Sequence, residues 1–294
     1  MEPRPPRRDE HLNPAPSGAG FLVSSIAILC ASSLPATGVA GELGGSVELG
    51  AGAVHFDYAE HGRNGAFLDG EEGWVPGLEL RSELARGRLF LVASGRLAKG
   101  NVTYEGRTQS SAPANDDLPI ATTTRADFAR VELQGGGWLG AGRRVGLYAG
   151  AAARRWRRDI RPTTVVSRAG ATIQVSGLEE VYAWGELQAG LRLAAVEHGR
   201  LRLELDGRLL QVVLPRLAVD WAGERVGLRL GALPGWRLGA TLRVELASPW
   251  FAALEGSAEG YRFGASEVDP ASGIMEPESA TTDVELGARL GARF

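Results

Sequence analysis

A histidine and a carboxylate lie two residues apart, at His55 and Asp57. A histidine beside a carboxylate can carry out general acid–base catalysis when both side chains face one site. Residues two apart share a face of a β-strand, and a β-bulge just before His55 would turn both side chains toward the interior of the protein. Because such a pair also arises easily by chance, we favour the interpretation that both residues are solvated at the end of a strand. The alternative is a hydrolase that uses His55 and Asp57 at the rim of the fold.

Four arginines surround one tryptophan in the run Arg154, Arg155, Trp156, Arg157 and Arg158. The planar guanidinium group matches the oxygens of a phosphate, and tryptophan favours membrane interfaces. We predict that these four arginines contact the phosphates of lipopolysaccharide. The alternative, held at equal weight, is a solvated basic start of a loop.

Acidic side chains are concentrated in two segments that we predict to be loops, 59–73 and 266–280. The members are Glu60, Asp69, Glu71, Glu72, Glu267, Asp269, Glu276 and Glu278. Carboxylates are ligands for Ca²⁺, but this spacing fits no defined calcium loop. We therefore predict a solvated run of charge, with no metal and no cofactor.

Composition excludes several classes of protein. The chain has 294 residues, 44% of them hydrophobic, and a formal net charge of −3, which is not the composition of a disordered chain. A nearly neutral chain lacks the basic footprint of a nucleic-acid binder. It also contains no apolar run of about 18 residues, so it encodes no membrane-spanning helix.

Residues 1–40 have the pattern of a secretory signal peptide. Three arginines precede a short apolar run at 21–31, and small residues lead to Ala40. A charged region, a short apolar region and a small-x-small end are typical of such a leader. We predict cleavage after Ala40, which leaves residues 41–294 as one domain.

Apolar residues then recur at every second position along the chain, which is the period of a β-strand with one apolar face. In the last segment every even residue from Val284 to Phe294 is apolar, and the odd residues are polar or glycine. The same alternation predicts ten strands, near 46–58, 74–85, 88–104, 125–139, 143–157, 179–195, 200–221, 225–247, 250–265 and 281–294.

Short turns and long loops alternate between these strands. An even number of strands joined in this way is typical of a transmembrane β-barrel. We therefore predict an all-β fold, a single antiparallel up-and-down transmembrane β-barrel of about ten strands, with eight or twelve as alternatives. A soluble secreted β-sandwich is the architectural alternative. Aromatic residues collect at the strand ends, and we predict that they form girdles at both membrane interfaces.

The face that would point into the barrel is rich in charge. A barrel of this size has little room inside, so side chains of opposite sign on that face are expected to pair and fill it. The predicted lumen network consists of Glu79, Arg81, Arg130, Glu132, Arg202, Glu204, Arg243, Glu245 and Arg289. We favour a structural plug and keep a narrow path for a small solute as an alternative.

Two consecutive predicted strands are unusually long, so their shared hairpin at 212–232 is expected to rise above the membrane. Its many apolar residues predict an exposed interaction surface, unless neighbouring loops cover it.

The alternating final strand and its terminal Phe294 resemble those of bacterial outer-membrane β-barrel proteins. In that superfamily such a strand is read by the barrel-assembly machinery, and here Phe294, Leu290 and Leu286 match the spacing. The strand number is also similar to that of the omptin surface proteases. Omptins use paired aspartates and an Asp/His couple near the outer rim, and the full set has no counterpart in this sequence.

The resemblance and the charged lumen together predict a bacterial outer-membrane surface protein that acts as a structural or binding protein through its loops and the 212–232 hairpin. The expected partners are outer-membrane lipid, lipopolysaccharide, the assembly machinery and an extracellular ligand, and not nucleic acid. The absence of a serine-acylation, H-E-x-x-H or P-loop motif leads us to predict that the chain is not an enzyme.

Overall fold

The computed structural model of the protein describes residues 43–62, 65–108, 110, 112–221 and 224–294. The predicted signal peptide at 1–40 lies outside the described residues. Everything described is strand, turn or loop, and no helix in these ranges has the length and apolarity needed to cross a membrane.

The described chain forms fourteen strands. They are β1 Leu43–His61, β2 Phe67–Arg86, β3 Leu89–Arg107, β4 Pro119–Leu139, β5 Val145–Ile160, β6 Thr163–Val166, β7 Thr172–Val175, β8 Leu178–His198, β9 Leu201–Trp221, β10 Glu224–Arg229, β11 Gly231–Ala232, β12 Pro234–Glu245, β13 Trp250–Gly264 and β14 Glu278–Arg293. Every pairing between them is antiparallel.

Ten of these strands close into a barrel in the order β1, β2, β3, β4, β5, β8, β9, β12, β13, β14. Strand β14 returns to β1, with register from Ser46↔Arg293 to His61↔Glu278. Closure removes the open edges that lipid is unable to satisfy. Strands β10 and β11 continue the line of β12, while β6 and β7 form a separate hairpin inside one loop. The predicted fold class and strand number are confirmed.

The outer face carries an apolar belt, as the alternation predicts. Exposed side chains of this belt include Leu49, Leu78, Leu80, Leu97, Leu133, Leu147, Leu187, Leu191, Leu209, Leu238, Leu254, Leu286 and Leu290. Trp74 and Trp236 are exposed on one rim of the belt, and Trp250 and Phe294 on the other. We call the ends beyond these rims the long-loop end and the turn end.

The strands extend further at the long-loop end than the sequence predicts. The connections there shrink to residues 62–66, 108–118, 161–177, 222–223 and 265–277. Strand β8 pairs with β9 up to Glu179↔Asp220, so the 212–232 hairpin has a paired neighbour along its height. The wall as a whole rises past the belt, and the hairpin does not stand alone.

The 212–232 hairpin is not an exposed apolar surface, contrary to the prediction. Val212, Leu217 and Leu228 are buried inside the barrel end. The register of β8 on β9 jumps from Gly185↔Val213 to Ala183↔Arg216, and Leu214 in between has a φ of 52°. This bulge changes which residues of β9 face inward, because an extra residue inverts a period-two pattern.

The predicted outer aromatic girdle is also largely wrong. Of the described aromatic residues at the long-loop end, only Phe67, Trp74 and Trp236 are exposed to a large extent. The others pack inside the barrel end against one another, a set that includes Phe56, Tyr58, Phe128, Trp156, Tyr182, Trp184, Tyr261 and Phe263. Beyond the belt, the apolar face of the wall is therefore the inner one.

Candidate functional site

The barrel interior at the level of the apolar belt is filled with ion pairs. We define the lumen network as ten arginines and eleven acids, which are Arg81, Arg96, Arg130, Arg154, Arg192, Arg202, Arg208, Arg237, Arg243, Arg289, Glu48, Glu79, Glu83, Glu132, Glu186, Glu204, Asp206, Glu255, Glu259, Asp283 and Glu285. The near balance of charge is what buried ions require.

Arg130 at the centre of the network shows how it is tied together. Its guanidinium lies 2.6 Å from Glu132 on the same strand, 3.3 Å from Glu186 on β8 and 2.9 Å from Glu259 on β13. Arg208 on β9 reaches Glu132 at 2.6 Å. The contact between Arg130 on β4 and Glu259 on β13 crosses the lumen and joins opposite walls.

The structure places all of the predicted network residues but one inside the barrel. Arg202 pairs with Glu204 at 2.6 Å, and Arg289 lies 3.4 Å from Glu79. Arg243 pairs with Glu48 at 2.9 Å. Glu245 is instead half-exposed at the turn end, where it pairs with Arg293.

The space left in the lumen is small. A cavity of about 70 Å³ remains among the ion pairs, and one of about 30 Å³ lies between them and the aromatic side chains above. These volumes hold a few waters at most.

Above the ion pairs, aromatic rings form a second layer across the barrel. Trp156 is fully buried, with its ring centroid 4.7 Å from that of Tyr182 and 4.9 Å from those of Phe56 and Tyr58. Tyr182 in turn stacks on Phe263 at 5.9 Å. Rings from β1, β5, β8 and β13 therefore meet at the axis and close the lumen a second time.

A second charged cluster lies at the long-loop end, and it has a different composition. Five acids, Glu60, Asp69, Glu71, Glu180 and Glu276, gather around the single cation Arg158 and the phenols Tyr58 and Tyr182. We call this group the mouth cluster. Its members come from β1, β2, β5, β8 and the loop 265–277.

Arg158 is the hub of the mouth cluster. Its guanidinium is 3.1 Å from Glu60, Glu71 and Glu180, and 3.5 Å from Asp69. The side chain is 1% exposed. One guanidinium compensates about one carboxylate, so the cluster contains more acid than its cation can neutralise.

Hydrogen bonds between phenols and carboxyls connect the loop 265–277 to the barrel wall. The Tyr182 hydroxyl donates to Glu276 at 2.6 Å, and the Tyr58 hydroxyl donates to Glu60 at 2.5 Å. The two hydroxyls are 3.2 Å apart. The loop 265–277 is therefore attached to the mouth cluster through the carboxyl group of Glu276.

Burial raises the pKa of each acid in this cluster. The pKa values of Asp69 and Glu180 rise to about 7, mainly because burial penalises the charged form. Burial together with the negative charge of Glu60 and Glu180 holds the pKa of Glu276 well above its ordinary value. The excess of acid is therefore met by protons, which buried carboxyls retain.

The predicted rim pair does not enter the barrel. Strand β1 continues without a bulge through His55 and Asp57, so both face outward. His55 packs its ring against Trp74 at 5.1 Å and lies 3.4 Å from Glu72. The two side chains therefore lie on the outer wall and not in a site.

The four arginines around Trp156 divide between the two faces of β5. Arg154 and Arg158 point inward, into the lumen network and the mouth cluster. Arg155 and Arg157 point outward, and Arg157 is held by Glu179 through two bonds of 2.9 and 2.6 Å. Side chains alternate between the two faces of a strand, so the four arginines that were predicted to act together lie on opposite faces of β5.

Arg155 and Arg157 border a groove of about 660 Å³ on the outer wall. Small outward residues of β1, β2 and β4 line it, Ala51, Pro76 and Ala129, and its charged lining also includes Lys99 and Asp127. The groove thus combines an apolar floor with a cationic rim.

The predicted assembly residues Phe294, Leu290 and Leu286 all lie exposed on the outer wall of the final strand. This exposed row ends at the turn end, where the Phe294 backbone pairs with Gly45.

The mouth cluster is the part of the site that the sequence analysis missed. Glu60, Asp69, Glu71 and Glu276 are predicted to be solvated, but they are buried or nearly so. The alternation of inward and outward residues along a strand could have identified some of them. On β1 the even-numbered residues face inward, and this set includes both Glu48 and Glu60. Among the described residues, no three His, Cys, Asp or Glu side chains are arranged to hold a metal ion.

No known family profile and no curated protein sequence matches the chain. Among solved structures, the outer membrane protease OmpT from Escherichia coli is similar with a TM-score of 0.58 at 12% identity, over 86% of this chain and 96% of that one. The Pseudomonas putida toluene transporter TodX gives a TM-score of 0.37 at 10% identity, over 85% and 90% of the two chains. Ail, the attachment invasion locus protein of Yersinia pestis, gives 0.33 at 11% identity, over 85% and 99%.

The similarity to OmpT shows that the chain has the fold of bacterial outer-membrane β-barrels. It also overturns the prediction that the chain is not an enzyme. A solved protease has this barrel architecture, so neither the fold nor the lack of a familiar motif excludes catalysis.

Proposed function

We propose that this chain is an integral protein of a bacterial outer membrane with a non-conducting lumen, and that it binds a partner through its long-loop end. The apolar belt with a tryptophan at either rim supports insertion. The predicted signal peptide, the assembly strand ending in Phe294 and the assembly machinery as a partner belong to the same proposal.

The observation that carries the proposal is the double closure of the lumen. The ion pairs around Arg130 form the first layer and the rings around Trp156 form the second. An ion that crosses the barrel would have to break both layers. The loops and the mouth at the long-loop end are then the parts left free to meet a partner outside the cell.

Single-channel recording tests this closure. The full-length protein is purified from membranes of expressing cells, shown to be a barrel by its heat-modifiable gel mobility, and added to a planar lipid bilayer. We expect no discrete steps. A Trp156→Ala variant with Arg154→Ser removes a member of each layer, and we expect it to conduct. Discrete, salt-dependent steps from the unmodified protein would overturn the proposal and restore the solute-channel alternative.

The outer groove supports contact with lipopolysaccharide as part of this function. Acyl chains fit a floor of small apolar residues, and phosphates fit the Arg155 and Arg157 guanidinium groups at its rim. Arg154 and Arg158 are no longer part of this proposal, because both are buried in the barrel.

Co-purification tests the lipid contact. We expect the double variant Arg155→Ala with Arg157→Ala to lose most of its tightly bound lipopolysaccharide, while Arg225→Ala with Arg229→Ala, two exposed arginines away from the groove, keeps it. Equal lipopolysaccharide in both variants would contradict the contact.

A further inference from the structure

One strand at the long-loop end has a free edge. Strand β10 pairs with β9 from Glu224↔Trp221 to Arg229↔Arg216, and it has no second partner strand in the described chain. The next strand along the chain, β11, meets β13 at Gly231↔Gly264, where β13 ends. Above that level, no other described strand continues the sheet beside β10.

The backbone groups on this free edge belong to alternate residues. Leu230 donates its backbone N–H to Pro215 on β9 at 3.1 Å. In an antiparallel pair, residues two apart point the same way, so Arg225, Gly227 and Arg229 turn their N–H and C=O groups away from β9. Within the part of the chain that the structure describes, no backbone hydrogen bond joins these three residues to the loop 265–277.

The side chains beside the free edge are cationic. Arg225 and Arg229 are exposed, and Arg229 lies directly opposite the exposed Arg216. None of the three forms an ion pair with another described residue. Like charges facing each other across strands are destabilising, and an acidic neighbour would offset this repulsion.

We propose that the free edge of β10 binds an extended, acidic segment of a partner protein by adding it as a further strand. Main-chain hydrogen bonds to Arg225, Gly227 and Arg229 supply affinity, and the arginines select carboxylate side chains. This inference rests on the proposed function, in which the long-loop end binds a partner.

Gly227 gives a sharp test because its N–H faces the free edge. A Gly227→Pro substitution removes that donor and leaves the pairing with β9 intact, since proline is tolerated on the open side of an edge strand. Gly227→Ala is the matched control, because it keeps the N–H and its Cβ enters open space.

The probe is a short fluorescent peptide that alternates glutamate with valine, and its binding to the purified barrel is followed by anisotropy. We expect Gly227→Pro to bind at least about tenfold more weakly than Gly227→Ala, a loss of one or two strand contacts. Arg229→Gln should weaken binding several-fold, and a probe with proline in place of each valine should not bind.

Equal binding of the probe by Gly227→Pro and Gly227→Ala would overturn the strand-addition proposal and leave a merely electrostatic surface. A dimer of the unmodified barrel in detergent that Gly227→Pro dissociates would also overturn it, because the edge would then belong to a second copy. Failure of the probe with a barrel that is silent in the bilayer refutes this inference alone. Channel steps refute the proposed function itself.

Discussion

The lumen network and the mouth cluster are both buried and both rich in ionisable groups, but they differ in how many cations compensate their acids. In the lumen network ten arginines face eleven acids, and central residues such as Arg130 have several partners. In the mouth cluster Arg158 stands alone against five acids.

This difference teaches that charge at the mouth is set largely by protons, while charge in the lumen is set mainly by opposite charges. A buried carboxyl group without a neighbouring cation stays protonated, because its ionisation would place an unsolvated charge in the interior. The lumen network should therefore act as a fixed structural plug. The mouth cluster should respond to pH, because its protons can leave.

Removal of a central cation should give the largest effect. Arg130→Met leaves three buried acids with fewer partners, so we expect the free energy of unfolding to fall by about 3–5 kcal/mol. The loss should be smaller at pH 5 than at pH 8, because acids left without a cation can take up protons at the lower pH. Guanidinium unfolding in lipid vesicles, followed by tryptophan fluorescence, measures it.

Lys99→Met is the control for Arg130→Met, because Lys99 pairs with Asp127 on the outer wall at 3.6 Å and is largely exposed. A surface pair contributes about 1 kcal/mol or less. Equal losses from the two variants would contradict the view that the lumen network carries stability.

The unmodified protein should become less stable as pH rises from about 4 to 8. Asp69 and Glu180 have pKa values of about 7 in the folded protein, well above their ordinary values near 4. The folded state therefore holds protons that the unfolded chain has released, and stability decreases with pH across that window by about 3–4 kcal/mol for each of these two groups.

Glu276→Gln should reduce this pH dependence, because glutamine mimics the protonated acid. Glu278→Gln is the matched control, an exposed acid two residues away whose nearest cation, Arg262, is 3.9 Å distant. A stability that rises with pH, or an identical slope in both variants, would break the distinction between the two clusters.

Tyr182→Phe should cost about 1–2 kcal/mol, since it removes the hydroxyl between Glu276 and Tyr58 and leaves a buried acceptor unpaired. Tyr104→Phe should cost less, because the Tyr104 hydroxyl lies 3.4 Å from Asp69 and makes the weaker contact. Thermal unfolding of the two variants gives the comparison, and a greater cost for Tyr104→Phe would contradict this assignment.

The smallest effect is expected at the turn end. Glu245 and Arg293 pair there while remaining about one-third to one-half exposed. Glu245→Gln should change stability by less than about 1 kcal/mol, and added salt should erase the difference. A cost as large as that of Arg130→Met would show that exposed and buried pairs are not distinguished in this barrel.

The wall of the barrel can be predicted from the sequence, because an apolar outer belt and inner ion pairs impose a period of two residues on every strand. The final strand from Val284 to Phe294 shows this most clearly. Above the belt the aromatic side chains pack on the inner face, so apolarity no longer marks the outer face. Prediction from the sequence therefore places Tyr58 and Trp156 in a girdle, although both face the axis.

The mouth cluster was harder to predict because its members are distant in sequence. Glu60, Arg158 and Glu276 meet only after the barrel closes. Composition alone describes each as part of a polar strand end or loop. If the alternation of inward and outward residues on β1 and β5 is extended past the belt, it predicts that Glu60 and Arg158 face inward. Glu276 lies in a loop, where no such alternation applies.

The central claim is that the mouth cluster keeps protons at neutral pH. Infrared difference spectroscopy of the full-length protein, titrated between pH 5 and 9, observes protonated carboxyl groups directly through their carbonyl band. We expect part of this band to persist at pH 7, to disappear as pH rises, and to be reduced in Glu276→Gln but not in Glu278→Gln. A band that is absent at pH 7, or identical in both variants, would contradict the account.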